Sequence, residues 1–347
     1  MVTIEETTGG RSAGEVLAGV RDIVDPALRA AVETLTPLPR AIADYHFGWR
    51  DERGNPAGGA SGKLFRPALA LLAAETVGGA AADAVPAAVA VELVHNFSLL
   101  HDDVMDGDST RRHRATAWSV FGTGGAILTG DALLSLAFGA LAAGAGASTG
   151  EDAVRRLDTS VQRLIAGQSA DVDFERRTDV DAAECRAMAE AKTGALLGSA
   201  CTLGAVFGGA TPQQAEDLRR FGELLGLAFQ IADDLLGIWG DPSATGKPAH
   251  SDLRNRKKSL PVVAALSAQT AESGELATLF AREKPLEGAD LVRAAELVEL
   301  AGGRAWGERE SAALLEQSLE HLRNAAAAAV PAAELAALAR LAVRRDH

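Results

Sequence analysis

The chain is poor in the residues that staple or stack a fold. Among 347 residues there are two cysteines (Cys185 and Cys201), one tyrosine (Tyr45) and 4% aromatics. Two thiols give neither a disulfide framework nor a zinc set, so a reducing cytoplasm is expected. Positive charge is also short: 34 lysines and arginines against 47 aspartates and glutamates leave a formal net charge of −13. A non-specific nucleic-acid binder needs a basic surface, so no nucleic-acid partner is expected. The N-terminus, Met1-Val2-Thr3-Ile4-Glu5-Glu6, lacks the basic start and apolar stretch of a secretory signal. Runs of β-branched residues are scarce. One long uncharged stretch, from Ala132 to Gly150, is mostly Ala, Gly, Ser and Thr with Asp131 at its edge. It is expected to be a buried helix of small residues, not a membrane span.

What is present is a globular composition, 47% apolar and 23% charged, with abundant alanine and a helical rhythm almost throughout. No convincing alternating strand and no repeat of 20–50 residues is visible. Asp25 before Pro26 reads as an N-cap with proline at the first helical position. Thr211-Pro212-Gln213-Gln214 has capping-box form. The helix after it carries Leu218, Phe221, Leu225, Phe229 and Ala232 as an apolar stripe and should end near Trp239, before Gly240-Asp241-Pro242. Another long helix should run from near Pro86 to about Met105. Residues 50–61 (RDERGNPAGGAS) and 242–259 (PSATGKPAHSDLRNRKKS) read as loops. A single all-α domain over residues 14–347 is expected, after a disordered stretch of residues 1–13.

The sharpest feature is His101-Asp102-Asp103-Val104-Met105-Asp106. Asp102 and Asp106 share a helix face, Asp103 lies beside them, and the three carboxylates repel unless a cation intervenes. The helix C-terminus also favours cations. Oxygen donors of this kind suit Mg²⁺, held through a few carboxylates plus substrate phosphates and waters. Alone, such a cluster reads best as a solvated acidic helix end. A second one, Phe229-Gln230-Ile231-Ala232-Asp233-Asp234, sits inside an apolar stretch where bare carboxylates are costly. Two clusters on different helices could face each other across a cavity and hold metal ions around one diphosphate. Arg111 and Arg112 follow the first cluster. Lys63 and Arg66 stand in Gly62-Lys63-Leu64-Phe65-Arg66-Pro67, and Lys192-Thr193, Lys247 and Lys257 come later. Singly these are surface charges; together they are what two diphosphates need. No Walker loop or dinucleotide fingerprint is present.

In this order the motifs resemble the trans-isoprenyl diphosphate synthases (polyprenyl synthetases), most of all bacterial geranylgeranyl diphosphate synthases. The signatures are Gly62 to Pro67, His95 with Asp102 to Asp106, Arg111-Arg112, Gly130-Asp131, Gly167-Gln168 with Asp171, Lys192-Thr193, Phe229 to Asp234 and the lysines of the following loop. The resemblance implies the isoprenoid synthase fold, an all-α single-domain bundle of long helices around a central active-site cavity, and a homodimer in the cytoplasm. It implies Mg²⁺, about three ions, held by Asp102, Asp106 and Asp233 with Asp103 and Asp234 close by. Arg111, Lys192, Thr193, Gln230, Lys257 and Lys247 would meet the allylic diphosphate. Lys63, Arg66, His95 and Arg112 would bind isopentenyl diphosphate.

Departures from the family pattern are local. Gly237 stands where a third aspartate is common, Leu64 where an arginine is common, and His113 and Arg256 where glycine is common. A class I terpene cyclase on the same fold would keep the metal carboxylates but has no use for Lys63, Arg66, His95 and Arg112. A non-catalytic subunit would have lost a carboxylate cluster. Residues 242–259 are expected to act as a lid. Ser98 and Phe97 lie four and five residues before Asp102, about 6 to 8 Å along the axis. Ser98 leaves room, and Phe97 is the first bulky group that could close a chain tunnel. In the family, an aromatic at that place with a short first cluster implies a C20 product, geranylgeranyl diphosphate, with farnesyl diphosphate as the alternative.

Overall fold

A computed structural model describes residues 10–58, 62–144, 147–241, 250–282 and 285–343. In chain order the helices are α1 (Ala13–Glu33), α2 (Pro37–His46), α3 (Phe65–Thr76), α4 (Val85–Met105), α5 (Ala117–Phe121), α6 (Thr123–Ala143), α7 (Ala147–Phe174) and α8 (Ala182–Ala189). They continue with α9 (Ala195–Phe207), α10 (Pro212–Trp239), α11 (Ser251–Arg254), α12 (Leu260–Leu266), α13 (Ala271–Phe280), α14 (Gly288–Leu300), α15 (Gly303–Ala325) and α16 (Ala329–Val343). The all-α expectation holds. The starts and stops of α4 and α10 fall where the sequence put them. Gln214 N donates to Thr211 Oγ1, and Thr211 N to Gln214 Oε1, which completes the capping box of α10.

Three readings need correcting. Pro26 does not open a helix but lies inside α1, which begins at a capping box between Ser12 and Glu15. Proline removes one backbone bond, and the buried stripe Val16, Val20, Val24, Leu28 and Val32 carries the helix through it. A small hairpin exists where no strand was expected: β1 (Thr110–Arg111) pairs with β2 (Arg114–Ala115). Its two-residue turn, Arg112-His113, has φ of 49° and 61°. That left-handed pair is the tight hairpin turn that Asn-Gly usually signals, and Arg-His carries no such cue. Of the stretch expected to be disordered, residues 1–9 lie outside the described residues. Arg11, however, donates from Nε to Glu334 Oε1 at 3.0 Å, and Ser12 caps α1.

The chain forms two compact units. The first comprises residues 1–161, 199–219 and 322–337. Its core helix α4 packs along α6 and α3. The buried Ala-rich α3 accepts the end of α9 backbone to backbone: a Cβ at Gly204 would lie 2.0 Å from the Ala70 carbonyl oxygen. The second unit comprises residues 162–198, 220–321 and 338–347. One of its cores joins Phe174, Cys185, Met188, Leu227, Ile231, Leu235 and Leu260; another joins Leu253, Val262, Leu276, Leu291 and Val298.

The uncharged stretch divides between α6 and α7. Among the described residues two helical stretches, Ala81–Met105 and Thr123–Ala143, are long and apolar enough to cross a membrane. In the first, 67% of the most apolar window is buried, as in a core helix. In α6 only 33% of the most apolar window is buried. Of the stretch expected to be a buried helix, the part in α6 buries Leu133, Ala137 and Leu141 and exposes Ser135 and Gly139; just before that stretch α6 also exposes Leu128 (62%) and Ile127 (38%).

Candidate active site

In the first unit the end of α4 and the hairpin build a cationic cluster. Asp102 is half-buried, Asp106 is exposed at the helix cap, and Asp103 is buried. Asp103 does not share their setting. Arg111 donates from Nε to Asp103 Oδ1 at 2.7 Å, while Oδ2 is buried without a hydrogen-bond partner. Burial pushes the Asp103 carboxyl up, against the pull of Arg111. Arg112 lies over Gly62, where a Cβ would be 3.0 Å from its guanidinium. Arg21 donates to the Gly62 carbonyl at 2.9 Å. The motif loop Gly62–Pro67 and the Arg112-His113 turn thus meet at Arg112. Leu64, with φ of 50°, turns the chain into α3. Lys63 is exposed and Arg66 half-buried.

His95 sits among these cations. Burial, then Arg66, Arg112, Arg111 and His46, hold its imidazole well below its ordinary range, so it is neutral. His46 is lowered to about 3, by burial and then by Arg111 and Arg112. Burial also brings Arg66 down to about 10, opposed by Glu92. Arg66 Nε is buried without a partner. Glu92 is buried and takes Asn96 Nδ2 on Oε1 at 3.0 Å. An excess of cationic groups with an orphaned donor is a site built for an anion. Glu92, Asn96 and His46 were missed from the sequence. The one signal for Glu92 was an acid inside the apolar run Val89 to Val94.

In the second unit Lys192 and Thr193 lie on a five-residue π-turn, Glu190–Gly194, between α8 and α9. Such turns recur at functional sites because they free backbone groups and re-aim side chains. Gly167 makes this one possible: a Cβ there would lie 2.4 Å from Lys192 N. Lys192 Nζ donates to Asp171 Oδ2 at 2.5 Å. Thr193 Oγ1 donates to Gln230 Oε1 at 2.7 Å, and Gln230 Nε2 donates to Asp234 Oδ1 at 3.0 Å. Asp234 is buried and committed to the protein. Its Oδ1 also faces Lys257 Nζ at 3.5 Å, and its Oδ2 accepts Leu260 N–H at 3.1 Å, which anchors the start of α12. Asp233 is half-buried. Burial lowers the Lys257 ammonium, but Asp234, Asp252, Asp171 and Asp233 outweigh it and raise it.

Gly237 gains a meaning. A Cβ there would lie 2.5 Å from the Asp252 carboxylate, so the place of a side chain at 237 is taken by Asp252, itself 3.8 Å from Lys257 Nζ. His113 (61°) and Arg256 (50°) hold left-handed φ, a conformation that glycine adopts without steric cost. Lys247 and most of the expected lid, 242–249, lie outside the described residues. Phe97 is buried and its ring meets His101; Ser98 Oγ donates to the His95 carbonyl at 2.8 Å.

The donor set fits Mg²⁺. Asp102 and Asp106 stand one turn apart at a helix C-terminus. Among the described residues no three carboxylate, imidazole or thiol groups come together as a cluster that could hold a metal ion by themselves. Carboxylates in ones and twos are what Mg²⁺ takes alongside phosphates and waters.

The polyprenyl synthetase family model matches residues 56–298. The chain belongs to this family. Similar proteins include a (2E,6E)-farnesyl diphosphate synthase of Mycobacterium tuberculosis, 44% identical over 334 residues, covering 95% of this chain and 93% of that protein. A geranylgeranyl diphosphate synthase of the same organism is 44% identical over 321 residues, covering 92% and 91%. Among solved structures, a polyprenyl synthetase from Streptomyces coelicolor A3(2) is 48% identical with a TM-score of 0.88, covering 95% of this chain and 99% of that one. The resemblance read from the motifs therefore holds: the chain is a trans-prenyltransferase with the isoprenoid synthase fold, and its family is Mg-dependent. Two relatives of equal identity carry different product names, so identity does not choose a product length.

Proposed function

We propose that the enzyme joins isopentenyl diphosphate head-to-tail (1′-4) to allylic prenyl diphosphates and stops at geranylgeranyl diphosphate. The observation that carries this is the cationic cluster around His95. Half-buried Arg66, exposed Arg112 and a neutral imidazole close to both make a second diphosphate site, which a terpene cyclase does not need. Lys63, Arg66, His95 and Arg112 hold the isopentenyl diphosphate, the imidazole donating a hydrogen bond without adding charge. Arg111, Lys192, Thr193, Gln230 and Lys257 hold the allylic diphosphate, joined by Lys247. Asp102, Asp106 and Asp233 are the carboxylates that would hold Mg²⁺. Asp103 orients Arg111, and Asp234 orients Gln230 and Lys257.

Bound Mg²⁺ would supply charge withdrawal from the leaving diphosphate. The allylic C–O bond breaks with its electron pair on the diphosphate oxygen. The π bond of isopentenyl diphosphate forms the new C–C bond to the allylic cation. A proton then leaves the adjacent carbon for the released diphosphate. The chain contributes position, a cationic setting and exclusion of water. Two buried free thiols fit a reducing cytoplasm, and a homodimer is proposed on the exposed face of α6.

Phe97 supports the C20 product, because it is buried on the same helix as Asp102 and about 7.5 Å from it along the axis. Farnesyl diphosphate is the alternative, since a relative of equal identity bears that name. The test is incubation with Mg²⁺, isopentenyl diphosphate and each allylic primer, followed by product identification. A C20 diphosphate is expected. A C15 end product replaces the length reading, and a cyclic hydrocarbon made without consuming isopentenyl diphosphate overturns the elongation reading.

A further inference from the structure

Phe97 and His101 are one turn apart on α4, and their rings meet edge to face with centroids 4.8 Å apart and planes at 66°. That is a preferred geometry for an aromatic pair. His101 is fastened from the other side. Its Nε2 lies 3.0 Å from the carbonyl oxygen of Ile127 on α6. A carbonyl only accepts, so Nε2 carries the proton. Asp131 Oδ1 is 3.7 Å from the same nitrogen. The imidazole reaches this place only because residue 130 has no side chain: a Cβ on Gly130 would lie 2.3 Å from His101 Nε2 and 2.4 Å from Cδ2.

We propose that His101 is a positioning residue for product length. Pinned between the Ile127 carbonyl and Gly130, its ring holds the Phe97 ring in one orientation. A helical Phe has few open χ1 wells but a broad χ2, so its reach depends on the neighbour that fixes it. This rests on the reading that Phe97 closes the chain tunnel, and it goes further by naming what keeps that closure shut. Gly130 acts in the same device by leaving space for the imidazole.

The readout is the ratio of longer to normal product at matched conversion, which an overall loss of rate does not move. His101→Ala removes the ring. Gly130→Ala evicts it from α6 while leaving it on α4. Each should raise the ratio about two- to ten-fold, the range expected for one aromatic edge contact. In a Phe97→Ala background His101→Ala should add nothing, because it acts through Phe97. If His101→Ala does not fold by circular dichroism, His101→Gln keeps a donor and loses the ring, and it should lengthen product likewise. Phe97→Ala lengthening product while the His101 and Gly130 variants leave it unchanged overturns the role of His101 alone. An active Phe97→Ala with unchanged product overturns the tunnel reading and the role of His101 with it.

Discussion

His46 is a residue that sequence patterning could not assign and that pH should expose. Burial first, then Arg111 and Arg112, bring it to about 3 from an ordinary value of 6.5. Between these values the unfolded chain takes up a proton that the folded chain refuses. Stability therefore rises with pH in that window and is lost as pH falls from 6.5 towards 3, by up to about 1.4 kcal/mol per unit of pH. Urea melts at several pH values should give a shallower acid-side slope for His46→Gln than for the parent; parallel slopes would show that His46 titrates normally. His113 is a second case. As an exposed residue at φ 61° it carries strain that glycine does not. His113→Gly should stabilise the fold by about 0.5–1 kcal/mol after the entropic cost of glycine, read as a higher melting temperature. The carboxylates, arginines and lysines were legible because their chemistry is rare in apolar or helix-terminal settings. The division of labour within each Asp pair was not. Nothing in Asp102-Asp103 or Asp233-Asp234 says which one faces Arg111 or the start of α12, since that depends on helix phase against a partner element.

Helices α4 and α10 were readable to within a residue or two because α4 is apolar on all sides over its first turns, α10 carries an apolar stripe, and each has a clear boundary signal. The hairpin and the π-turn were not, for opposite reasons. The hairpin uses Arg112-His113 where a turn normally shows Asn-Gly. The π-turn is imposed on an ordinary helical sequence by packing, with Gly167 against the Lys192 backbone and Gly226 against Gly194. A Cβ at 167 would meet backbone, which cannot swing aside. Gly167→Ala should therefore shift the π-turn and with it Lys192 and Thr193. The expected result is a loss of stability of about 1–3 kcal/mol from overpacking together with a raised Michaelis constant for the allylic primer. Gly274 on α13, exposed and with open space around its Cβ position, is the control. Equal, small effects of the two substitutions would mean that the π-turn does not depend on this approach.

At the scale of the whole molecule, α6 poses a question that its own unit does not answer. It is apolar on nearly all sides, yet Leu128 and Ile127 point outward and Val120 just before it is 37% exposed. A membrane does not suit this face, because Asp131 is exposed in the middle of the same helix, with its side chain 60% accessible. A second copy suits it: small residues along α6 permit close helix packing, and a two-fold axis through the face counts each contact twice. Covering the remaining surface of Leu128 is worth about 1–2 kcal/mol per copy. A glutamate in its place adds a desolvation cost of several kcal/mol per charge. Leu128→Glu should thus raise the dimer dissociation constant at least about 100-fold, and sedimentation at micromolar protein should show the parent as a dimer and the variant as a monomer with unchanged helical content. A variant that sediments as a dimer like its parent would remove α6 as the interface, and a monomeric parent would remove the dimer itself.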